Sequence, residues 1–151
     1  MVAAALEKTE KVALRLIARA EQCTFGLTLK LERRGCDSAS ISDVISKLTE
    51  MGLLDDSRFA RLWLTSKLHS ARSPRRLLAS LCNRGIDQKT AESALKNILN
   101  EETELVMLER FINKAKKSLN SESNGRTLKY LLRNEGFSGA IIERFLDFHK
   151  F

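Results

Sequence analysis

Seven positively charged side chains concentrate in one thirty-residue stretch of the 151-residue chain. Residues 57–86, here called the basic segment, contain no acidic residue, and the chain as a whole carries a net charge of +7. The planar guanidinium group of arginine donates paired hydrogen bonds to carboxylates and phosphates. The segment therefore predicts a contact with an anionic partner. Its candidate residues are Arg58, Arg61, Lys67, Arg72, Arg75, Arg76 and Arg84.

No catalytic motif accompanies these cations. The sequence contains no phosphate-binding loop, HExxH or GxSxG, and His69 and His149 each stand without a recognisable acid or nucleophile. Cys23, Cys36 and Cys82 are odd in number and have no CxxC spacing, which argues against a disulfide framework and against a zinc site. We therefore expect no catalytic residue, no metal and no cofactor.

The middle of the basic segment has the features of a helix start. Ser73 is predicted to cap the helix, and Pro74 suits the first helical position, where its missing N–H costs nothing. Arg75 and Arg76 then lie in the first turn, where positive charge is mildly unfavourable. Their presence indicates an external anionic partner, although a solvated surface would also explain them.

A second helix is predicted to begin at Asp55 or Asp56, whose carboxylates suit a helix N-terminus and could pair with Arg58. The alternative for these two acids is a contact with a basic partner. One face of the helix is predicted to be core, namely Phe59, Leu62, Trp63 and Ser66. Trp63 could instead anchor a partner. Arg58 and Arg61 fall on another stripe and are expected to point outward.

Three similar strings, each containing a glycine next to its last residue, indicate an internal repeat: LTLKLERRGC at 27–36, LLASLCNRGI at 77–86 and LKYLLRNEGF at 128–137. Leucine stands eight and four residues before each of Gly35, Gly85 and Gly136. This spacing is typical of a helix face, and a following glycine suits the left-handed residue that ends a helix. The helices that follow are predicted to be capped by polar residues, namely Ser40 with Asp43, then Asp87, then Ser138.

These patterns predict an all-α protein of three tandem three-helix repeats. The expected repeats are residues 1–54, 55–100 and 101–151, of which the second is the basic one. Units of about 50 residues bury little surface, so each is expected to lean on its neighbours. The sequence has neither an apolar run long enough for a bilayer nor the basic start of a signal peptide, which predicts a cytoplasmic location. Without a heptad seam, we expect a monomer.

The second repeat resembles the signature of the RecX family, the regulatory proteins of the bacterial recombinase RecA. The resemblance lies in GLLDDSRFARLW at 52–63 and RSPRRLLASLCNRGI at 72–86, which combine an LDD-x-RFA string, a basic turn with an RR pair and a closing RGI. The chain departs from the family at Ser73 and Pro74, where a glycine is usual, and at Trp63, where a tyrosine is usual.

The resemblance implies a regulator that binds RecA and its filament on single-stranded DNA, and thereby blocks filament extension, ATP hydrolysis, strand exchange and the co-protease role in the SOS response. It implies that the three repeats form an elongated, curved stack, a shape suited to the groove of such a filament. It also implies a role in DNA repair and homologous recombination, and a basic segment that contacts acidic groups of RecA or DNA phosphates. The alternative is a general helical DNA-binding protein, such as a helix-turn-helix transcription regulator, which the sequence pI of about 9.6 also fits. Weak, salt-sensitive DNA binding is compatible with both.

Overall fold

The computed structural model describes residues 2–116 and 125–149, and within these ranges every regular element is an α-helix. The predicted all-α class is confirmed. The helices are α1 (Val2–Arg19), α2 (Thr24–Arg33), α3 (Ser38–Glu50), α4 (Asp56–Lys67), α5 (Pro74–Asn83), α6 (Gln88–Ile98), α7 (Glu101–Ala115), α8 (Gly125–Glu135) and α9 (Gly139–His149).

The chain separates into two compact units, whose boundaries cut through the basic segment. The first unit comprises Met1–Ala60 and Leu81–Ala91, and the second comprises Arg61–Ser80 and Glu92–Phe151. The two units do not coincide with the three predicted repeats, whose division stays a prediction. The cations of the basic segment are consequently shared between the units, with Arg58 and Arg84 in the first.

The core of the first unit forms where α1, α2 and α3 pack against one another. Leu27 and Leu31, one turn apart on α2, are fully buried, as is Leu48 of α3. Each such leucine contributes about 2 kcal/mol through the apolar surface that it removes from water. Leu54, which follows α3, is buried in the same cluster and fixes the chain's approach to α4.

In the second unit, α9 packs against both α7 and α8. The core side chains are Met107 and Leu108 of α7, Leu132 of α8 and Ile142 of α9, all without solvent exposure. A buried carboxylate, Glu104, accepts a hydrogen bond of 2.8 Å from the backbone N–H that precedes α9. That bond satisfies a free donor at the helix N-terminus and suits its positive end.

The three repeat glycines end α2, α5 and α8 in the left-handed conformation that the sequence predicts. Their φ angles are +80° at Gly35, +87° at Gly85 and +110° at Gly136. After Gly35, the N–H of Cys36 reaches back to the carbonyl of Leu31 at 3.1 Å. This bond is typical of a helix that is followed by a left-handed residue.

The cap of α3 differs from the prediction. Asp37, not Ser40, is the N-cap residue, and its Oδ2 accepts a hydrogen bond of 3.0 Å from the N–H of Ser40. That bond holds the pKa of Asp37 below its usual range. Asp87 caps α6 as predicted, accepting from Thr90 at 3.3 Å, whereas Ser138 precedes α9 and donates its N–H to Glu104. The helix therefore starts three residues earlier than expected, because the carboxylate of Asp37 accepts a hydrogen bond from the N–H three residues on.

Candidate binding surface in the basic segment

The first helix of the basic segment begins at the two acids that the sequence singled out. Asp55 Oδ1 accepts a hydrogen bond of 3.0 Å from the N–H of Arg58 and thereby caps α4. Asp56, the first residue of α4, accepts a hydrogen bond of 2.8 Å from the N–H of Thr24. The carboxylate of Asp56 thus fastens the start of α4 to the start of α2.

Arg58 is half-buried and its guanidinium group is bound within the first unit, contrary to the expectation that it points outward. Its Nε donates to Glu21 at 2.7 Å, and its Nη1 and Nη2 donate to the carbonyls of Gly52 and Leu53 at 2.9 and 3.3 Å. The predicted salt bridge from Asp55 or Asp56 is also wrong, because the guanidinium pairs with Glu21 instead. The planar fork of arginine suits this arrangement, in which three acceptors are bound at once.

The buried face of α4 is displaced from the predicted one. Ala60 and Leu64, four residues apart, are fully buried, whereas Leu62 is 49% exposed. Ser66 is also exposed, and Phe59 and Trp63 are only half-buried. Leu62 and Leu64 fall on different faces of α4, so each of the two faces carries a leucine. The small side chain of Ala60 lies on the face that packs.

Lys67 and Trp63 lie together at the C-terminal end of α4. The Lys67 Nζ lies 5.8 Å from the centre of the Trp63 ring, within the range of a cation–π interaction. Both side chains are half-buried. The ammonium group of Lys67 therefore lies over the ring and near the surface.

The start of α5 is built as the sequence predicts. Ser73 Oγ accepts a hydrogen bond of 3.2 Å from the N–H of Arg76 and donates one of 2.7 Å to the carbonyl of Glu135. Pro74 is the first helical residue, and both Ser73 and Pro74 are buried. A single hydroxyl thus caps one helix and satisfies a carbonyl at the end of another.

The two arginines of this turn have partners inside the second unit. Arg75 Nη2 donates to the carbonyl of Asn134, and Arg76 forms an ion pair with Glu135, whose side chain is 12% exposed. The first-turn position of these arginines therefore needs no external anion to explain it. Arg76 remains 62% exposed despite its ion pair, so it can still reach a partner.

Arg61 and Arg72 are cations whose side chains have no partner among the described residues. Both are exposed, and their side chains make no hydrogen bond or ion pair with any residue in the part of the chain that the structure describes. Arg84 is also exposed, and its backbone carbonyl accepts a bond from the Cys23 thiol in the first unit. Arg61, Lys67 and Arg72 are the main candidate contact residues of the second unit, with Arg76 as a further one, and Arg84 is the candidate of the first unit.

Sequence reasoning missed the residues that bind the arginines, namely Glu21, Asn134 and Glu135. The internal repeat could have predicted one further contact, because Cys23 and Ser73 both stand twelve residues before a glycine that ends a helix. Aligning on that register would have placed the thiol of Cys23 in the capping role of Ser73. The thiol does cap α2, accepting from the N–H of Gly26 at 3.4 Å.

Two features are absent among the described residues. No three His, Cys, Asp or Glu side chains among them are grouped so that they could bind a metal ion. None of the helices in residues 2–116 and 125–149 is both long and apolar enough to cross a membrane.

Comparison with protein-family models identifies the central part of the sequence. Residues 55–95 match the model described as RecX, second three-helix domain. The matched range begins at the acids of α4 and ends within α6.

Curated proteins named regulatory protein RecX match almost the whole chain. The protein of Treponema pallidum (strain Nichols) is 33% identical over 140 residues, which cover 92% of this chain and 84% of the relative. The protein of Thermobifida fusca (strain YX) is 30% identical over 141 residues, which cover 91% and 76%.

Solved structures show the same fold. The crystal structure of RecX from Lactobacillus salivarius superposes with a TM-score of 0.79 at 22% identity and covers 96% of both chains. A second structure, described as regulatory protein RecX, gives a TM-score of 0.84 at 17% identity and covers 97% of this chain and 75% of the other.

Proposed function

The chain belongs to the RecX family, and we propose that it regulates the recombinase RecA by binding RecA and its filament on single-stranded DNA. The observation that carries the proposal is the identity of 33% with a regulatory protein RecX over 92% of this chain. The proposed outcome of binding is inhibition: the chain blocks filament extension, ATP hydrolysis, strand exchange and the SOS co-protease activity. Its proposed setting is the cytoplasm, in DNA repair and homologous recombination.

The basic segment supports an anionic contact as the basis of this regulation. Arg61 and Arg72 are exposed without internal partners among the described residues, and Lys67 lies at the surface beside Trp63. Such cations can pair with acidic groups of RecA or with DNA phosphates. Trp63 belongs to a residue type that is enriched at binding hot spots. We assign these side chains as contact candidates, with Arg76 and Arg84 as further ones.

Regulation of this kind needs no chemistry in the regulator. A protein that binds a filament stabilises the bound arrangement by its binding energy, and it blocks steps that require another arrangement. We therefore propose a non-enzymatic mode of action by a monomer that acts without a cofactor. We keep the division into repeats 1–54, 55–100 and 101–151 as part of this proposal, with the second repeat as the main contact.

The proposal is tested by co-sedimentation of the labelled chain with RecA filaments on single-stranded DNA, and with the same DNA alone, over a salt series. We expect binding to filaments to persist at physiological salt, where binding to DNA alone is lost through counterion competition. Equal salt dependence with and without RecA would contradict RecA regulation and would favour the second candidate.

The second candidate is a general DNA-binding protein, and the acid-free basic segment with its exposed arginines favours it. A helix-turn-helix regulator of this type would bind a duplex sequence tightly at physiological salt without any recombinase. Base-reading side chains such as Asn or Gln are sparse in the basic segment, where Asn83 is the only one. Selection of a double-stranded site from a random library is the measurement that distinguishes this candidate.

A further inference from the structure

The end of one helix is covered by the start of another in the same manner in both units. In the first unit, Cys23 Sγ donates to the carbonyl of Arg84 at 3.5 Å, and Phe25 lies against Gly85. Cys23 is the N-cap residue of α2, and Arg84 is the residue before the glycine that ends α5. Phe25, the second residue of α2, covers that glycine.

The second unit repeats this contact with different side chains. Ser73 Oγ donates to the carbonyl of Glu135 at 2.7 Å, and Arg75 lies against Gly136. Ser73 stands fifty residues after Cys23, and Glu135 fifty-one after Arg84, so the partners are equivalent in the repeat register. The start of α5 therefore covers the end of α8 as the start of α2 covers the end of α5.

These covered ends are closely packed. A Cβ atom added at Gly85 would lie 2.4 Å from the Cβ of Phe25, and one added at Gly136 would lie 2.6 Å from the Cβ of Arg75. Both distances are far below van der Waals contact, so only glycine permits the approach. The covering helix is thus seated on the glycine backbone itself.

The third end of this type, at Gly35, is uncovered. Gly35 has the same positive φ, +80°, but an added Cβ would meet no heavy atom of the described residues within 4 Å. The carbonyl of Arg34, equivalent to the acceptors at Arg84 and Glu135, accepts no hydrogen bond within the described ranges. The end of α2 has the form of a docking position without a helix in it.

The charges around the Gly35 end indicate which kind of helix could dock there. Where α5 covers α8, the arginines of α5 meet the carbonyl of Asn134 and the carboxylate of Glu135. At the Gly35 end the equivalent residues are Arg33 and Arg34, exposed cations whose side chains pair with nothing in the described ranges. An occupant with acidic residues in its first turn matches these arginines and suits its own helix N-terminus.

We propose that the Gly35 end of α2, formed by Arg33, Arg34 and Gly35, is a docking site for the N-terminal end of a partner protein's helix that has a Ser or Thr cap and Asp or Glu in its first turn. The proposal is independent of the function proposed above. A second copy of this chain is a poor occupant, because the equivalent residue of its α8 is Arg126, which would meet Arg33 and Arg34.

The test uses two synthetic helical peptides that differ only after their Ser-Pro start, one continuing Glu-Glu and the other Arg-Arg. Binding to the full chain is measured by fluorescence anisotropy, with the backbone amide signals of residues 33–36 followed by NMR. We expect the acidic peptide to bind about tenfold more tightly, because the basic one meets like charges.

Two variants of the chain assign the site. R33E/R34E reverses the charge and is expected to reverse the peptide preference. G35N, which accepts a positive φ at small cost, places a side chain in the vacant position and is expected to weaken binding of the acidic peptide about tenfold. R19E, an exposed charge reversal on α1, is the matched control and leaves binding unchanged.

Circular dichroism and a thermal melt establish that each variant is folded. Equal affinity for the two peptides, absence of saturable binding to the folded chain, or binding of the acidic peptide that G35N does not weaken would overturn the proposal. Reversed preference in R33E/R34E together with loss in G35N would support it. RecA is absent from this experiment, so its outcome is separate from that of the co-sedimentation test.

Discussion

The guanidinium group of Arg58 is held by three acceptors of the first unit, one of which is a carboxylate. As one of six arginines in an acid-free segment it resembles a partner contact, yet it binds Glu21 and two carbonyls within the first unit. The acid that neutralises it lies thirty-seven residues away in sequence, where no local pattern could identify it. Arg61, three residues on, remains exposed.

We predict that R58A lowers the free energy of unfolding by about 2 kcal/mol, because hydrogen bonds to a charged group are lost and Glu21 is left unpaired. R61A is the matched control and is expected to change stability by less than about 0.5 kcal/mol. Urea denaturation followed by circular dichroism measures both. Equal stabilities for the two variants would show that the Arg58 bonds contribute nothing.

Two serines near the start of α5 offer a similar comparison. Ser73 Oγ makes two hydrogen bonds, whereas Ser70 Oγ is buried and has no partner among the described residues. We expect S73A to cost about 2 kcal/mol, since a helix cap and a carbonyl's donor are removed together. We expect S70A to be neutral or stabilising, because it removes an unsatisfied polar group. Greater destabilisation by S70A in thermal melts would contradict this account.

At the scale of the helices, the helix ends at the three repeat glycines are the feature that the sequence spacing predicted best. The period of leucines and the following glycine predicted three helix ends, and Gly35, Gly85 and Gly136 all have positive φ. The predicted buried face of α4 was wrong, because tertiary packing buries Ala60 and Leu64, although the neighbouring face is the more apolar one in sequence. The cap of α3 was wrong because Asp37 and Ser40 are both good capping residues, and sequence does not rank them.

We predict that alanine at two of these glycines has unequal effects. G35A forces alanine into a left-handed conformation at a cost of about 1–2 kcal/mol. G85A has the same strain and also overlaps the Cβ of Phe25, which adds about 1–3 kcal/mol. The midpoints of chemical denaturation should therefore fall further for G85A. Indistinguishable midpoints would mean that Phe25 moves away from the added methyl group without a cost in stability.

At the scale of the whole molecule, the family and the helical class could be predicted from the sequence. The set of predicted contact residues was too large, because several of them have partners within the chain. The signature in residues 55–95 depends on local strings, so it could be recognised without coordinates. The sequence could not distinguish arginines that bind groups within the chain from arginines that are available to a partner, because exposure and internal ion pairs depend on residues distant in sequence. Arg75 and Arg76, bound by Asn134 and Glu135, are the clearest case.

We predict that R61A/R72A weakens inhibition of RecA about tenfold while leaving the melting temperature unchanged, because both side chains are exposed and lack internal partners among the described residues. R15A/R19A, which removes the same charge from exposed positions of α1, is the control. The concentration of each folded variant that halves ATP hydrolysis by RecA is measured. Equal potency for both double variants would remove Arg61 and Arg72 from the contact surface.

The central claim is that the chain regulates RecA, and its most direct test is DNA-dependent ATP hydrolysis by the cognate RecA. The chain is titrated into the reaction at physiological salt, first with limiting single-stranded DNA and then with the DNA in large excess. We predict inhibition at substoichiometric amounts of the chain that is insensitive to the added DNA. No inhibition, or inhibition that spare DNA abolishes, would contradict the account and leave the basic segment as a general phosphate-binding surface.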